Sequence, residues 1–98
     1  MEIRFHRRIQ GDLDAILDRY HDVSPELADD FFAKFQLGLK RVENNPGSCH
    51  FDRSGLRRCN LERFPYHFLY DLPKGYVRVW VLRYDRRQPG FGTRRFKR

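Results

Sequence analysis

Arg63-Phe64-Pro65-Tyr66-His67-Phe68-Leu69-Tyr70, followed after a short turn by Val77-Arg78-Val79-Trp80-Val81-Leu82-Arg83-Tyr84-Asp85-Arg86-Arg87-Gln88-Pro89-Gly90, decides the fold. In the first stretch Tyr66, Phe68 and Tyr70 alternate with His67, Leu69 and Asp71, the period of a strand with one buried face, and Leu72 extends the buried set. Pro73-Lys74-Gly75 is a compact turn. Tyr76 to Tyr84 is β-branched and aromatic enough for a central strand. Alternation puts Val77, Val79 and Val81 on one face and Trp80 and Leu82 on the other. Two such strands deliver a cluster of cations to one end.

Working back toward the N-terminus, Leu56 to Arg63 alternates weakly and predicts a third strand, with Arg57, Cys59, Leu61 and Arg63 on one side. Pro65 donates no ladder hydrogen bond and limits its extent. Gly47 to Gly55 reads as a loop carrying Cys49 and His50. Before it, Ser24-Pro25-Glu26 is a helix start: an N-cap oxygen, a residue pre-set for the first turn and a carboxylate at the positive end of the dipole. The apolar set Leu27, Ala28, Phe31, Phe32, Phe35, Leu39 and Val42 runs down that helix as core, and Asn44-Asn45-Pro46-Gly47 stops it. An earlier helix from about Arg8 to His21 carries Ile9, Leu13, Ile16, Leu17 and Tyr20 inward, with Asp12, Asp14 and Asp18 turned outward. So short a connection between the two predicts an antiparallel hairpin. Glu2 to His6 alternates as a short opening strand, Ile3 and Phe5 together.

Strand, helical hairpin and three-stranded antiparallel meander make an α+β fold with the helices packed on one face of an antiparallel sheet. The 98 residues are the size of one domain, 1–98, ending in a basic tail, residues 90–98, for which flexibility is expected. There are 20 Lys and Arg against 13 Asp and Glu, a formal charge of +7 concentrated in the C-terminal half, which favours an acidic or polyanionic partner. The two cysteines lack the spacing of a zinc site, and no metal or cofactor is implied. No apolar stretch approaches the ~20 residues that span a bilayer. A cytoplasmic protein without membrane contact is expected.

The order of elements, Asn45-Pro46 at the helix end, Phe64-Pro65-Tyr66, Tyr70 and Arg86-Arg87-Gln88-Pro89-Gly90 together resemble the RelE/ParE superfamily of toxins from bacterial type II toxin–antitoxin systems, over nearly the whole chain. The resemblance implies a growth-inhibiting toxin neutralised by a cognate antitoxin in a hetero-oligomer. One branch cleaves messenger RNA on the ribosome, and another blocks DNA gyrase without being a nuclease. A basic binding module with no toxicity of its own is the third reading.

Metal-independent RNA cleavage needs a proton carrier and cations for the phosphate. His67 is the candidate carrier, because imidazole titrates near neutrality; Arg86 and Arg87 are the candidate phosphate ligands, with Tyr84 beside them. In the nuclease branch an Arg usually stands at the position of His67, a Tyr or His often follows the last strand where this chain has Phe91, and Asp85 repels phosphate unless an Arg neutralises it. Arg57, Arg58 and Arg63 are candidates for a cationic track along a phosphate backbone or for pairing with antitoxin carboxylates. Trp80 is the candidate exposed aromatic, and Arg94 and Arg95 extend the basic surface into the tail. His67 also has a structural reading, as a strand residue against Asp71 or Trp80.

Overall fold

The computed structural model describes residues 1–96. Its elements are β1 (Glu2–Phe5), α1 (Ile9–His21), α2 (Pro25–Asn44), β2 (Arg57–Asn60), β3 (Tyr66–Asp71), β4 (Tyr76–Tyr84) and a 3₁₀ turn, Thr93–Arg95. The helix signals act as read. Ser24 Oγ accepts the Leu27 amide at 3.0 Å, Pro25 opens α2, and α2 ends before Pro46.

Both helices lie on one face of the sheet. Ile9, Leu13 and Ile16 of α1 and Phe31, Phe35 and Val42 of α2 bury against Tyr66, Phe68, Tyr70, Val77, Val79 and Leu82. Tyr20, Phe31, Phe64 and Tyr66 meet edge-on or tilted at centroid distances of 5.2 to 6.0 Å, favoured aromatic geometry. At Gly38, α2 comes so near the sheet that an added Cβ would stand 3.2 Å from both Leu61 Cδ2 and Phe68 Cε2.

The meander β2-β3-β4 is antiparallel as expected, but the whole sheet is mixed. Its order is β1-β4-β3-β2, and β1 pairs parallel with β4, Glu2 opposite Tyr76 and Phe5 opposite Val79. Alternation reports the face a side chain takes and carries no information about the direction of the neighbouring strand.

A second difference lies inside β4. Leu69 pairs with Val81 and Tyr70 with Val79, so Trp80 is an extra residue in a β-bulge. The bulge shifts the alternation by one. Val77 and Val79 face the helices, then Leu82 and Tyr84 do, while Trp80 and Val81 join Leu69 and Leu56 on the opposite face. The grouping of Val81 with Val77 and Val79 therefore fails, because a bulge leaves no compositional mark in a run of β-branched and aromatic residues.

Three further expectations are corrected. Phe32 is 40 % exposed rather than core, Leu72 lies beyond β3 and is exposed, and β2 stops at Asn60 because Leu61 to Pro65 form a tight turn in which Arg63 takes φ 73°. Asp12, expected outward, is engaged in the structure.

Candidate functional site

The far face of the sheet holds the charged side chains from the C-terminal half. β3 and β4 place His67 opposite Arg83, both turned away from the helices, and β2 adds Arg58 alongside. His67 is 1 % exposed and Arg83 4 %. Arg83 Nε donates to His67 Nε2 at 2.9 Å, and His67 Nδ1 lies 2.8 Å from Asp85 Oδ1. Because guanidinium only donates, Nε2 must accept, so the ring carries its proton on Nδ1 and gives it to Asp85. Burial pushes the His67 pKa below its usual value; the Asp85 bond opposes this, and the Arg58 and Arg83 charges reinforce it.

Arg58 lies 3.3 Å from Asp85 and 3.8 Å from Asp52, and Arg83 lies 3.8 Å from Asp52. The neutralising cation that Asp85 needs is thus Arg58. Arg83 also donates to the Pro89 and Phe91 carbonyls at 2.9 and 2.8 Å, holding the Arg86–Gly90 turn onto the sheet. Burial lowers the Arg83 pKa from its ordinary value, opposed by Asp52.

Of the residues singled out from the sequence, His67 and Arg58 meet at Asp85 and Arg95 donates to the Trp80 carbonyl, whereas among the described residues no hydrogen bond joins His67 to Tyr84, Arg86 or Arg87. Both ring nitrogens of His67 are engaged within the protein. Tyr84 lies on the helical face, its ring 5.4 Å from that of Tyr66. Arg86 and Arg87 are exposed on the turn, Arg87 stacked over Phe91 at 4.5 Å. Arg57 donates to the Cys49 carbonyl at 2.8 Å and covers Phe51 at 4.3 Å, which closes the Gly47–Gly55 loop. Arg63 meets Asp30 at 3.2 Å at the surface.

Trp80 is enclosed rather than displayed. Its indole N–H donates to Asp71 at 2.9 Å, the Arg78 guanidinium lies 4.6 Å over its ring, and Phe96 and His6 pack at 5.7 and 5.6 Å. Phe91 and Phe96 cover the same face, so the segment from Gly90, for which flexibility was expected, is placed against the sheet through Phe96. Lys97 and Arg98 lie outside the described residues. Arg95 is anchored to Asp12, whereas Arg94 is exposed.

Sequence reasoning passed over Arg83 and Asp52. The available signal was Arg83 itself, a cation between Leu82 and Tyr84 in the apolar second half of β4, which burial tolerates only with partners.

Several concave surfaces remain, among them a cleft of about 420 Å³ lined by Arg41, Cys49, His50, Phe51 and Arg58. A groove of about 440 Å³ between β1 and the helices is lined by Phe5, Ile9, Leu13, Phe32, Phe35 and Leu39 with polar residues on its rim, and it explains why Phe5 and Phe32 are 48 % and 40 % exposed. A cationic cleft of about 610 Å³ lies between the β1–α1 connection and the C-terminal turn. Among the described residues no group of three or more His, Cys, Asp or Glu could hold a metal ion. Among the described residues no helix is long and apolar enough to cross a membrane.

A chain of the chromosomal ParDE toxin–antitoxin system from P. aeruginosa superposes on this one with a TM-score of 0.74, at 24 % identity, covering 86 % of this chain and 95 % of that one. The two share a fold. No family model matches the sequence, and no curated protein does. The α+β fold expected from the motifs, an opening strand, a helical hairpin and a three-stranded meander, is thus the fold observed, with β1 pairing in parallel.

Proposed function

We propose that this protein is the toxin of a toxin–antitoxin pair and that it arrests growth by occupying its target rather than by cutting RNA. The first half is supported by the fold shared with the ParDE system together with the charge of +7. The second half is carried by one observation, the enclosure of His67. A proton carrier for RNA cleavage must reach the 2′-hydroxyl or the leaving oxygen, and His67 is 1 % exposed with Arg83 and Asp85 on its two nitrogens. Arg86 and Arg87 then present charge on an exposed turn while both nitrogens of His67 are engaged elsewhere, an arrangement suited to binding. DNA gyrase is the target that the family resemblance implies for a toxin of this kind.

The groove beside β1 suits the antitoxin. An amphipathic segment would bury an apolar face on Phe5, Phe32 and Phe35, and its polar face would meet Arg7, Gln10 and Gln36 on the rim. A hetero-oligomer follows.

The test is to induce the full chain in cells and to assay purified protein in two reactions. Growth arrest, inhibition of gyrase supercoiling, and translation with uncut message in a cell-free system are expected. Ribosome-dependent cuts by primer extension that vanish in Arg86→Ala would overturn the binding reading, and unimpaired growth would overturn the toxin reading.

A further inference from the structure

The cationic cleft is lined by His6, Arg7 and Arg8 on one wall and by Gly90, Phe91, Gly92, Thr93, Arg94 and Arg95 on the other. Arg7, Arg8 and Arg94 are exposed, and among the described residues none of the three is in an ion pair with a carboxylate. The other wall is fixed in place. Gly92 takes φ 81°, and a Cβ there would fall 2.6 Å from Val81 Cγ2, so only glycine lets the turn sit this close to the sheet. Arg95 pairs with Asp12 at two points, 2.6 and 2.8 Å, and donates to the Trp80 carbonyl at 3.1 Å. Its anchoring holds Arg94, the next residue back, at the rim.

We infer that this cleft binds a chain of phosphates, with Arg7, Arg8 and Arg94 as its ligands. Guanidinium forks match phosphate oxygens in two-point contact and remain charged at any physiological pH. The cleft's volume exceeds what a single phosphate needs, and three cations spread over both walls fit successive phosphates, whether from a nucleic-acid backbone or from a free oligophosphate. A carboxylate-bearing peptide carries one charge per side chain and matches this density less well. The field of the arginines is felt inside the cleft: burial first, and then the Arg95, Arg7 and Arg8 charges, hold the His6 pKa below its usual value, with Asp12 opposing. His6 Nδ1 accepts the Arg8 amide at 3.2 Å, which fixes the ring on the wall as a reporter. This site is separate from the reading of the toxin's target and does not depend on it.

The test uses the full chain with three probes, tripolyphosphate, a five-nucleotide oligouridylate and pentaglutamate, followed by calorimetry and by NMR titration of the His6 ring. Tripolyphosphate or the oligonucleotide should bind, raise the His6 pKa, and lose about tenfold or more in affinity in the Arg7→Ala, Arg94→Ala double variant, where two charge-assisted contacts are gone. Arg53→Ala, outside the cleft and exposed, should leave binding within about twofold. Binding of tripolyphosphate alone would identify a free oligophosphate as ligand, and binding of both would identify any phosphate chain, a nucleic-acid backbone included. For the oligonucleotide, log K should fall with log salt at a slope near −2, about 0.7 for each of three phosphates neutralised. Failure of both phosphate probes, equal loss in Arg53→Ala, affinity unchanged in the double variant, or pentaglutamate binding as tightly, would overturn the assignment. All of the substituted side chains are exposed, so the variants are expected to fold.

Discussion

Arg95 and Asp12 complete the edge of β4 where β1 ends. β1 pairs with β4 only as far as Val79, whose carbonyl accepts the His6 amide at 2.8 Å. Beyond it, Arg95 donates to the Trp80 carbonyl, Asp12 Oδ2 accepts the Leu82 amide at 3.1 Å, and the two side chains hold each other. A helix residue and a tail residue thus supply the hydrogen bonds that a longer β1 would have made, satisfying backbone groups that burial would otherwise leave unpaired.

Removing either partner should therefore cost more than a surface ion pair. The side chains are 9 % and 11 % exposed, so Asp12→Ala leaves Arg95 buried beside an unpaired Leu82 amide, and a loss of about 3 kcal/mol is expected. Arg95→Ala should cost about 2 kcal/mol or more, because Asp12 keeps the Leu82 amide. Denaturant unfolding of both variants and of the double variant measures the coupling, which should exceed about 1 kcal/mol. Additive single effects would show that the pair is not the connection described.

The His67 site predicts a direction with pH. Its folded-state pKa lies below the unfolded value of about 6.5. The unfolded chain therefore binds more protons in that window. Stability from this group is present above about pH 6.5 and is lost as pH falls from there through the lower folded-state value, at no more than about 1.4 kcal/mol per pH unit. His67→Gln keeps a donor for Asp85 and an acceptor for Arg83 without titrating, so it should flatten the slope between pH 7 and pH 5 measured by thermal unfolding. His6, also held low, contributes in the same direction and is separated by His6→Gln. An unchanged slope in His67→Gln would show that the ring does not stay neutral in the folded protein.

What was legible in the sequence divides along physical lines. Helix ends were, because Ser24, Pro25 and Pro46 act through local backbone geometry. The helix-facing side of β3 was, because Tyr66, Phe68 and Tyr70 alternate without interruption, although His67 and Leu69 on the other side prove buried too. The β4 bulge at Trp80, the parallel pairing of β1 and the inward turn of Asp12 were not, since each depends on a partner distant in the chain: Tyr70, Tyr76 and Arg95 respectively. For the candidate site the same holds. Strand alternation correctly aimed His67 away from the helices, yet nothing local says that Arg83 and Asp85 close over it.

The two thiols should differ sharply in reactivity. Cys59 is fully buried, and burial pushes its thiol up to about 11, opposed by the Arg41 guanidinium at 3.1 Å. Cys49 is half-buried on a cleft wall. Since the thiolate is the nucleophile, iodoacetamide at pH 8 should place one adduct on Cys49 in the folded protein and a second on Cys59 only in denaturant. Peptide mass spectrometry reads this directly, and prompt labelling of Cys59 under native conditions would contradict its enclosure.

Arg63 occupies the left-handed region, φ 73°, in the turn that brings the Tyr66 carbonyl to the Leu61 amide at 2.9 Å. For a residue with a Cβ this conformation costs roughly 1–2 kcal/mol. Glycine removes that strain but gains about 0.5–1 kcal/mol of unfolded-state freedom. The Arg63–Asp30 pair is exposed on both sides, 57 % and 49 %, and contributes little. Arg63→Gly should accordingly leave stability unchanged or raise it by up to about 1 kcal/mol, while Arg63→Val, β-branched in a left-handed position, should lower it by at least about 1 kcal/mol. Urea unfolding of the two variants separates a backbone requirement at this turn from a side-chain one, because a charge-based role for Arg63 would make both substitutions destabilising to a similar degree.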